Sequence, residues 1–188
     1  MIKIALTGGI GTGKTYLSRH FIQMGIPVFY ADDEAKKLYS DPDFLDVMRA
    51  EFPDAGLWTP NGELDFAELK QSCSEKPFLD RLSALVHPFV MRQFHKWSEK
   101  QGVTAVIMES AIIFEYGLED NFDKIIVADA PESLRVRRIK SRNPELSESQ
   151  ILARMSQQMP QSEKCSRADM VICTGETYKA KISDESSR

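Results

Sequence analysis

A chain of 188 residues suits one compact domain with room for a small inserted subdomain, and its 42% apolar and 28% charged content belongs to a soluble globular protein. Its net charge of −4 argues against general nucleic-acid affinity, and no apolar run approaches the roughly 20 residues that span a bilayer. Cys73, Cys165 and Cys173 lack any CxxC or Cys/His ligand spacing. That argues against a structural zinc site and, with no signal-peptide pattern at the N-terminus, points to a reducing cytoplasm.

Met1–Leu6 reads as a short buried strand that ends at a glycine turn. A helix is expected from near Gly13 to about Met24, with Tyr16, Leu17, Phe21 and Ile22 at core spacing, stopped by Gly25 and Pro27. Val28–Tyr30 is a second apolar strand, followed by Ala31-Asp32-Asp33. Strand, loop, helix and strand within about 30 residues form a βαβ unit and so predict a parallel sheet.

From about residue 33 to residue 100 the pattern turns helical, with segments at Glu34–Tyr39, Pro42–Glu51, Phe66–Cys73 and Pro77–Lys100. Turn-rich stretches at Pro53-Asp54-Ala55-Gly56 and Pro60-Asn61-Gly62 interrupt them. Trp97 and the phenylalanines are the expected core of this insertion. Apolar strands return at Val103–Met108 and Lys124–Ala128. A basic helix at Pro131–Arg142, a helix at Ser147–Met159 and a strand at Met170–Cys173 follow, and the polar end from Lys179 is expected to fray.

Gly8-Gly9-Ile10-Gly11-Thr12-Gly13-Lys14-Thr15 satisfies GxxxxGK[ST], directly after a strand and opening a helix. Backbone N–H groups from Gly9, Ile10, Gly11, Thr12 and Gly13 can turn toward phosphates that a Cβ would hold away. Lys14 is expected beside the β- and γ-phosphates of ATP, and the Thr15 hydroxyl on Mg²⁺. The chain carries no NKxD guanine-reading motif, which favours a small-molecule kinase over a GTPase.

Asp32, at the end of the second strand, is placed to accept a proton from an attacking hydroxyl, while Asp33 is the expected helix cap. Glu109 ends the next strand and is a candidate metal-shell carboxylate; Glu115 reads as structural, within a short helix at Ile112–Glu115. Arg135, Arg137, Arg138, Lys140 and Arg142 crowd one helix. Arg138 and Arg142, four apart, share a face and can grip transferring phosphates, with Arg154 as a further contributor. His87 precedes Pro88 and is expected at a helix entrance, a position whose own chemistry does not mark it as catalytic. His20 and His95 read as surface or packing residues.

Taken in order, these segments resemble the dephospho-CoA kinase family. The resemblance rests on Ala5 to Thr15, on Tyr30-Ala31-Asp32 against the family's DAD, on Leu85-Val86-His87-Pro88 and on Ser110 to Glu115. It continues through Arg138 to Asn143, Gln158-Met159-Pro160, Glu163-Lys164 and Ala168 to Ile172, covering Met1 to about Gly175. Tyr30, Ala111, Asn143 and Cys173-Thr174-Gly175 depart from the family's residues.

The resemblance implies an α/β P-loop fold with a parallel sheet core, a helical substrate-binding insertion and an arginine-bearing lid. The core would occupy about 1–32, 101–135 and 165–178, the insertion 33–100 and the lid 136–164. It implies phosphoryl transfer from ATP to the ribose 3′-hydroxyl of dephospho-CoA. Asp32 is then the orienting carboxylate, His87 a residue by the CoA substrate, and Arg138 and Arg142 lid arginines. The expectation is a cytoplasmic monomer or weak homo-oligomer with no nucleic-acid or membrane partner. Its rivals are a nucleoside monophosphate kinase and a nucleotide-binding regulator without turnover.

Overall fold

The computed structural model describes residues 1–53, 56–175 and 179–182. Two compact units divide the chain, one of residues 1–30 with 101–188 and one of residues 31–100.

The first unit is built on a six-stranded sheet of β1 (Ile2–Thr7), β2 (Val28–Tyr30), β3 (Ala105–Glu109), β4 (Lys124–Asp129), β5 (Met170–Cys173) and β6 (Lys179–Ile182). Their order is β2-β3-β1-β4-β5-β6, with the first five parallel and β6 antiparallel to β5. The register sets Leu6 opposite Glu109 and Asp129 opposite Cys173, so the carboxyl ends of the strands share one edge. Ligands bind at that edge in parallel α/β sheets.

Helix α1 (Lys14–Gln23) packs on the sheet through Leu17 and Phe21, in a core with Leu6, Ile107, Ile126 and Ile172. Tyr16 and Ile22, expected in that core, are 53% and 48% exposed. The helix buries one narrow face, and Ser18 occupies part of it. Tyr16 instead lies against His20 one turn on, on the outer side.

Three helices of the second unit follow β2 directly: α2 (Ala31–Leu38), α3 (Pro42–Glu51) and α4 (Phe66–Ser72), and then the long α5 (Lys76–Glu99). Asp41 and Asp65 cap α3 and α4 through their carboxylates. The core of this unit gathers Leu38, Phe44, Met48, Phe52, Leu82, Val90 and Phe94. Phe66, expected within it, is 60% exposed, with its ring edge-to-face against Tyr39. Pro88 does not open a helix: it lies inside α5, so His87 sits mid-helix rather than at an entrance. Buried Val86, Val90 and Met91 on either side hold α5 continuous across the missing N–H.

The first unit is completed by α6 (Glu132–Arg142), α7 (Glu148–Ser156) and α8 (Gln161–Ser166). A capping box of Ser147 and Gln150 starts α7. The single helix expected over Ser147–Met159 ends at Ser156, and Pro160 starts α8 as a separate short helix. Residues 113–117 form turns where a short helix was expected. Lys179–Ile182, expected to fray, pairs with β5 as β6; residues 183–188 lie outside the described residues, as do Asp54 and Ala55 of the predicted turn. Among the described residues no helix is long and apolar enough to cross a membrane.

Candidate active site

The glycine-rich loop leaves β1 at the carboxyl edge and turns into α1. Gly13 stands at the N-cap with φ 94°, a left-handed conformation that costs a side-chain-bearing residue. A Cβ there would also meet the Thr174 side chain. At Gly9 a Cβ would fall on the Arg135 guanidinium, so the loop and α6 approach as closely as glycine allows.

Thr12 is buried and closes the loop on itself, its hydroxyl donating to Gly9 O at 2.8 Å. Lys14 Nζ donates to Gly8 O at 2.8 Å, which draws the ammonium back over the loop. Thr15 is exposed in the first turn of α1. The α1 N-terminus adds its partial positive charge, so the loop presents cation, helix end and turned backbone to one ligand.

Two residues of α6 and Thr174, the residue after β5, touch the loop. Arg135, 7% exposed, donates from Nε to Ile10 O at 2.9 Å. Burial pushes its pKa down and the charges of Asp129 and Glu132 oppose that, leaving a guanidinium that stays charged. Arg138 donates from Nη1 to Gly11 O at 3.2 Å and to Thr174 Oγ1 at 2.9 Å. The Thr174 hydroxyl in turn donates to Thr12 O.

Glu109 is the last residue of β3 rather than the residue after it, and its Oε2 accepts from Ser18 Oγ at 2.9 Å. Thr15 and Glu109 offer hard oxygen donors of the kind Mg²⁺ takes, although among the described residues no three His, Cys, Asp or Glu gather as a metal cluster.

Of the sequence-selected residues, the loop from Gly9 to Thr15, Arg138 and Glu109 come together at this edge. Arg142 ends α6 on the exposed surface, and Arg154 is exposed on α7. Asp32 and His87 belong to the second unit. Asp32 lies exposed in the first turn of α2, where Asp33 also sits; Asp33 pairs with Lys36 at 2.9 Å instead of capping the helix. His87 is half-buried in α5, and burial lowers its pKa. The three cysteines are free.

Sequence reasoning did not single out the side chains that bind the loop from behind. Gln161 Oε1 accepts from Gly9 N at 2.9 Å and Gln158 Oε1 from Ile10 N at 2.8 Å. Lys164, fully buried, donates to Glu115 Oε1 at 2.5 Å and to Ala111 O at 2.6 Å. The family-like runs Gln158-Met159-Pro160 and Glu163-Lys164 held a signal for Gln158 and Lys164, and none for Gln161.

The dephospho-CoA kinase family model matches residues 2–179. The chain belongs to the dephospho-CoA kinase family. The dephospho-CoA kinase of Brucella melitensis is 33% identical over 182 residues, 95% of this chain and 88% of that protein. A crystal structure of TT1252 from Thermus thermophilus is 32% identical with a TM-score of 0.78, over 90% of this chain and 86% of the other. The dephospho-CoA kinase of Campylobacter jejuni, at 24% identity and a TM-score of 0.63, covers 94% of this chain and 89% of that one and shares the P-loop kinase fold. Members of the dephospho-CoA kinase family are ATP-dependent phosphotransferases, and an intact nucleotide loop at the sheet edge is what such an enzyme requires.

Proposed function

We propose that the chain phosphorylates the ribose 3′-hydroxyl of dephospho-CoA with ATP, giving CoA and ADP, the last step of coenzyme A synthesis. The observation that carries the reading is the family match across residues 2–179 with an unbroken GxxxxGK[ST] loop at the carboxyl edge of the sheet.

In this reading the Gly11–Gly13 backbone and Lys14 bind the phosphates of ATP. The Gly9 and Ile10 N–H groups, expected from the sequence to face phosphates, are taken by Gln161 and Gln158. Residues 33–100 receive dephospho-CoA, with His87 beside it. Asp32 orients the 3′-hydroxyl and takes up its proton as the oxygen attacks the γ-phosphorus. The bond from that phosphorus to the β–γ bridging oxygen breaks, and ADP leaves with its charge balanced by Lys14, Arg138 and Arg142. Thr15 and Glu109 are the residues that would hold Mg²⁺. Bound there, the ion would neutralise charge on the β- and γ-phosphates. Residues 136–164 act as a lid that excludes water, the competing acceptor. The protein works in the cytoplasm, as a monomer or weak homo-oligomer, with neither nucleic acid nor membrane as partner.

The test presents purified protein and MgATP with dephospho-CoA and, separately, with each nucleoside monophosphate. CoA and ADP should form in equal amounts from the first alone. Phosphorylation of a monophosphate but not of dephospho-CoA would overturn the reading, and ATP binding without turnover on saturating dephospho-CoA would replace it with a regulator.

A further inference from the structure

In a trans peptide the N–H and the C=O point in opposite directions, so fixing one fixes the other. The N–H of the Gly8–Gly9 peptide donates to Gln161 Oε1 at 2.9 Å, and its carbonyl, Gly8 O, accepts from Lys14 Nζ at 2.8 Å. The N–H of the Gly9–Ile10 peptide donates to Gln158 Oε1 at 2.8 Å. Its carbonyl, Gly9 O, accepts from the Thr12 hydroxyl at 2.8 Å and from Lys14 Nζ at 3.4 Å. Each peptide plane is thus held at one end by a glutamine and at the other by the lysine or by the threonine that closes the loop. The Ile10 side chain, packed against the Ile139, Leu146, Ile151 and Met155 cluster, adds an apolar tether on the same side.

The glutamines are themselves held. Gln161 Nε2 donates to Ala128 O at 2.9 Å, which sets its amide so that the oxygen, not the nitrogen, faces Gly9. Between the two glutamines, Met159 N donates to Glu115 Oε1 at 3.1 Å, the same oxygen that receives Lys164 Nζ. Lys164 has no exposed surface, and burial pulls its pKa down against the pull of Glu115. A buried ammonium bonded to a carboxylate and to Ala111 O ties α8 and the 157–160 connection to the turn after β3.

We propose that Gln158 and Gln161 are positioning residues for Lys14, acting through the Gly8–Gly9 and Gly9–Ile10 peptides, and that the Lys164–Glu115 pair anchors both glutamines. The proposal rests on the phosphate-loop reading. Without the glutamines either peptide can rotate and turn a carbonyl dipole toward the anion site, and Lys14 loses the acceptors that aim it.

The test measures the Kd of MgATP and, separately, of dephospho-CoA by calorimetry. The variants are Gln158→Met, Gln161→Met, the double variant, and Lys164→Met in the wild-type and double-variant backgrounds. Each glutamine variant should weaken MgATP about five- to tenfold, the loss of one hydrogen bond, and leave the dephospho-CoA Kd unchanged. Lys164→Met should weaken MgATP by a similar factor in the wild-type background and by less than about twofold in the double variant, because it acts through the same glutamines. A role in folding alone would lower the melting temperature and leave the MgATP Kd in place, which overturns the proposal. Equal losses from Lys164→Met in both backgrounds overturn the anchoring part. Should Lys164→Met fail to fold, the glutamine variants still decide. A wild-type protein that binds no MgATP would remove the phosphate-loop reading itself, an outcome separate from normal binding by the variants.

Discussion

Lys14 reaches back to its own loop, with Nζ on Gly8 O, so its charge is delivered to the loop before any ligand arrives. Removing one preorganised donor of this kind costs about 3–4 kcal/mol in the transition state. Lys14→Ala should therefore lower kcat/KM for ATP by at least about 100-fold, and an unchanged value would refute the assignment. Lys164 makes a different prediction. Glu115 Oε2 is buried without a hydrogen-bond partner, and Glu115 Oε1 depends on Lys164 and Met159. Lys164→Met leaves a buried carboxylate uncompensated and should cost about 3–5 kcal/mol in urea unfolding. Lys164→Met with Glu115→Leu should regain most of that loss; if it does not, packing rather than charge dominates. His87 carries a pH dependence. Burial lowers its folded pKa, so the unfolded chain takes up a proton first as pH falls through about 6.5. Its contribution is complete above that value and declines from there toward the folded pKa. Replacement by Gln should remove the fall in stability that sets in as pH drops below about 6.5. Asp169 acts in a lower window. Burial raises its pKa, but Lys124 and the Ile125 N–H outweigh burial, so its contribution is lost only as pH falls below the usual carboxylate range.

At the scale of elements, the loop-helix junction and the α5 helix show where local pattern suffices and where it does not. Leu17 and Phe21 of α1 face the sheet as periodicity implies, while Tyr16 and Ile22 are outside because only one face of α1 is covered. Periodicity counts apolar residues and cannot tell how wide the covering surface is. Pro88 is the clearer case. A proline signals a helix start, yet Val86, Val90 and Phe94 continue a buried stripe past it, and packing overrides the lost N–H. The α8 helix has six residues, too few for a period, and the Lys-Ala-Lys-Ile of β6 is too polar to read as a strand away from its partner β5. Pro88 is exposed, and Pro88→Ala restores a donor for Ala84 O. After allowance for the freer unfolded chain, the change should stabilise the protein by about 1–2 kcal/mol in urea unfolding. A loss would show that α5 requires the backbone geometry that proline imposes.

For the molecule as a whole, what was legible in the sequence was what lies close together along it. The eight-residue loop, the βαβ opening and the order of family-like segments each sit in one stretch of chain and led to the nucleotide, the parallel sheet and the family. The back of the loop was illegible for the opposite reason. Gln161 meets Gly9 across 152 residues, Gln158 meets Ile10 across 148 and Lys164 meets Glu115 across 49. No spacing rule connects such positions, and Gln and Lys in short polar helices look like any solvated face. Ala168-Asp169 shows the converse: a family-like pair that serves the fold, with Asp169 holding Ile125 N and Lys124 so that β5 starts beside β4. These long-range ties also set how ligand binding reaches stability. A ligand that binds only the folded chain stabilises it by about 2.7 kcal/mol at 100 times its Kd. For a chain of this length each kcal/mol raises Tm by roughly 2–4 °C, so MgATP should raise the melting temperature by about 5–11 °C. Differential scanning fluorimetry with and without MgATP measures the shift directly. Lys14→Ala should melt near the wild-type temperature without ligand yet lose most of the shift, because the loop still folds through Thr12, Arg135 and the two glutamines while its cation is gone. A full shift in Lys14→Ala would mean that the nucleotide binds elsewhere.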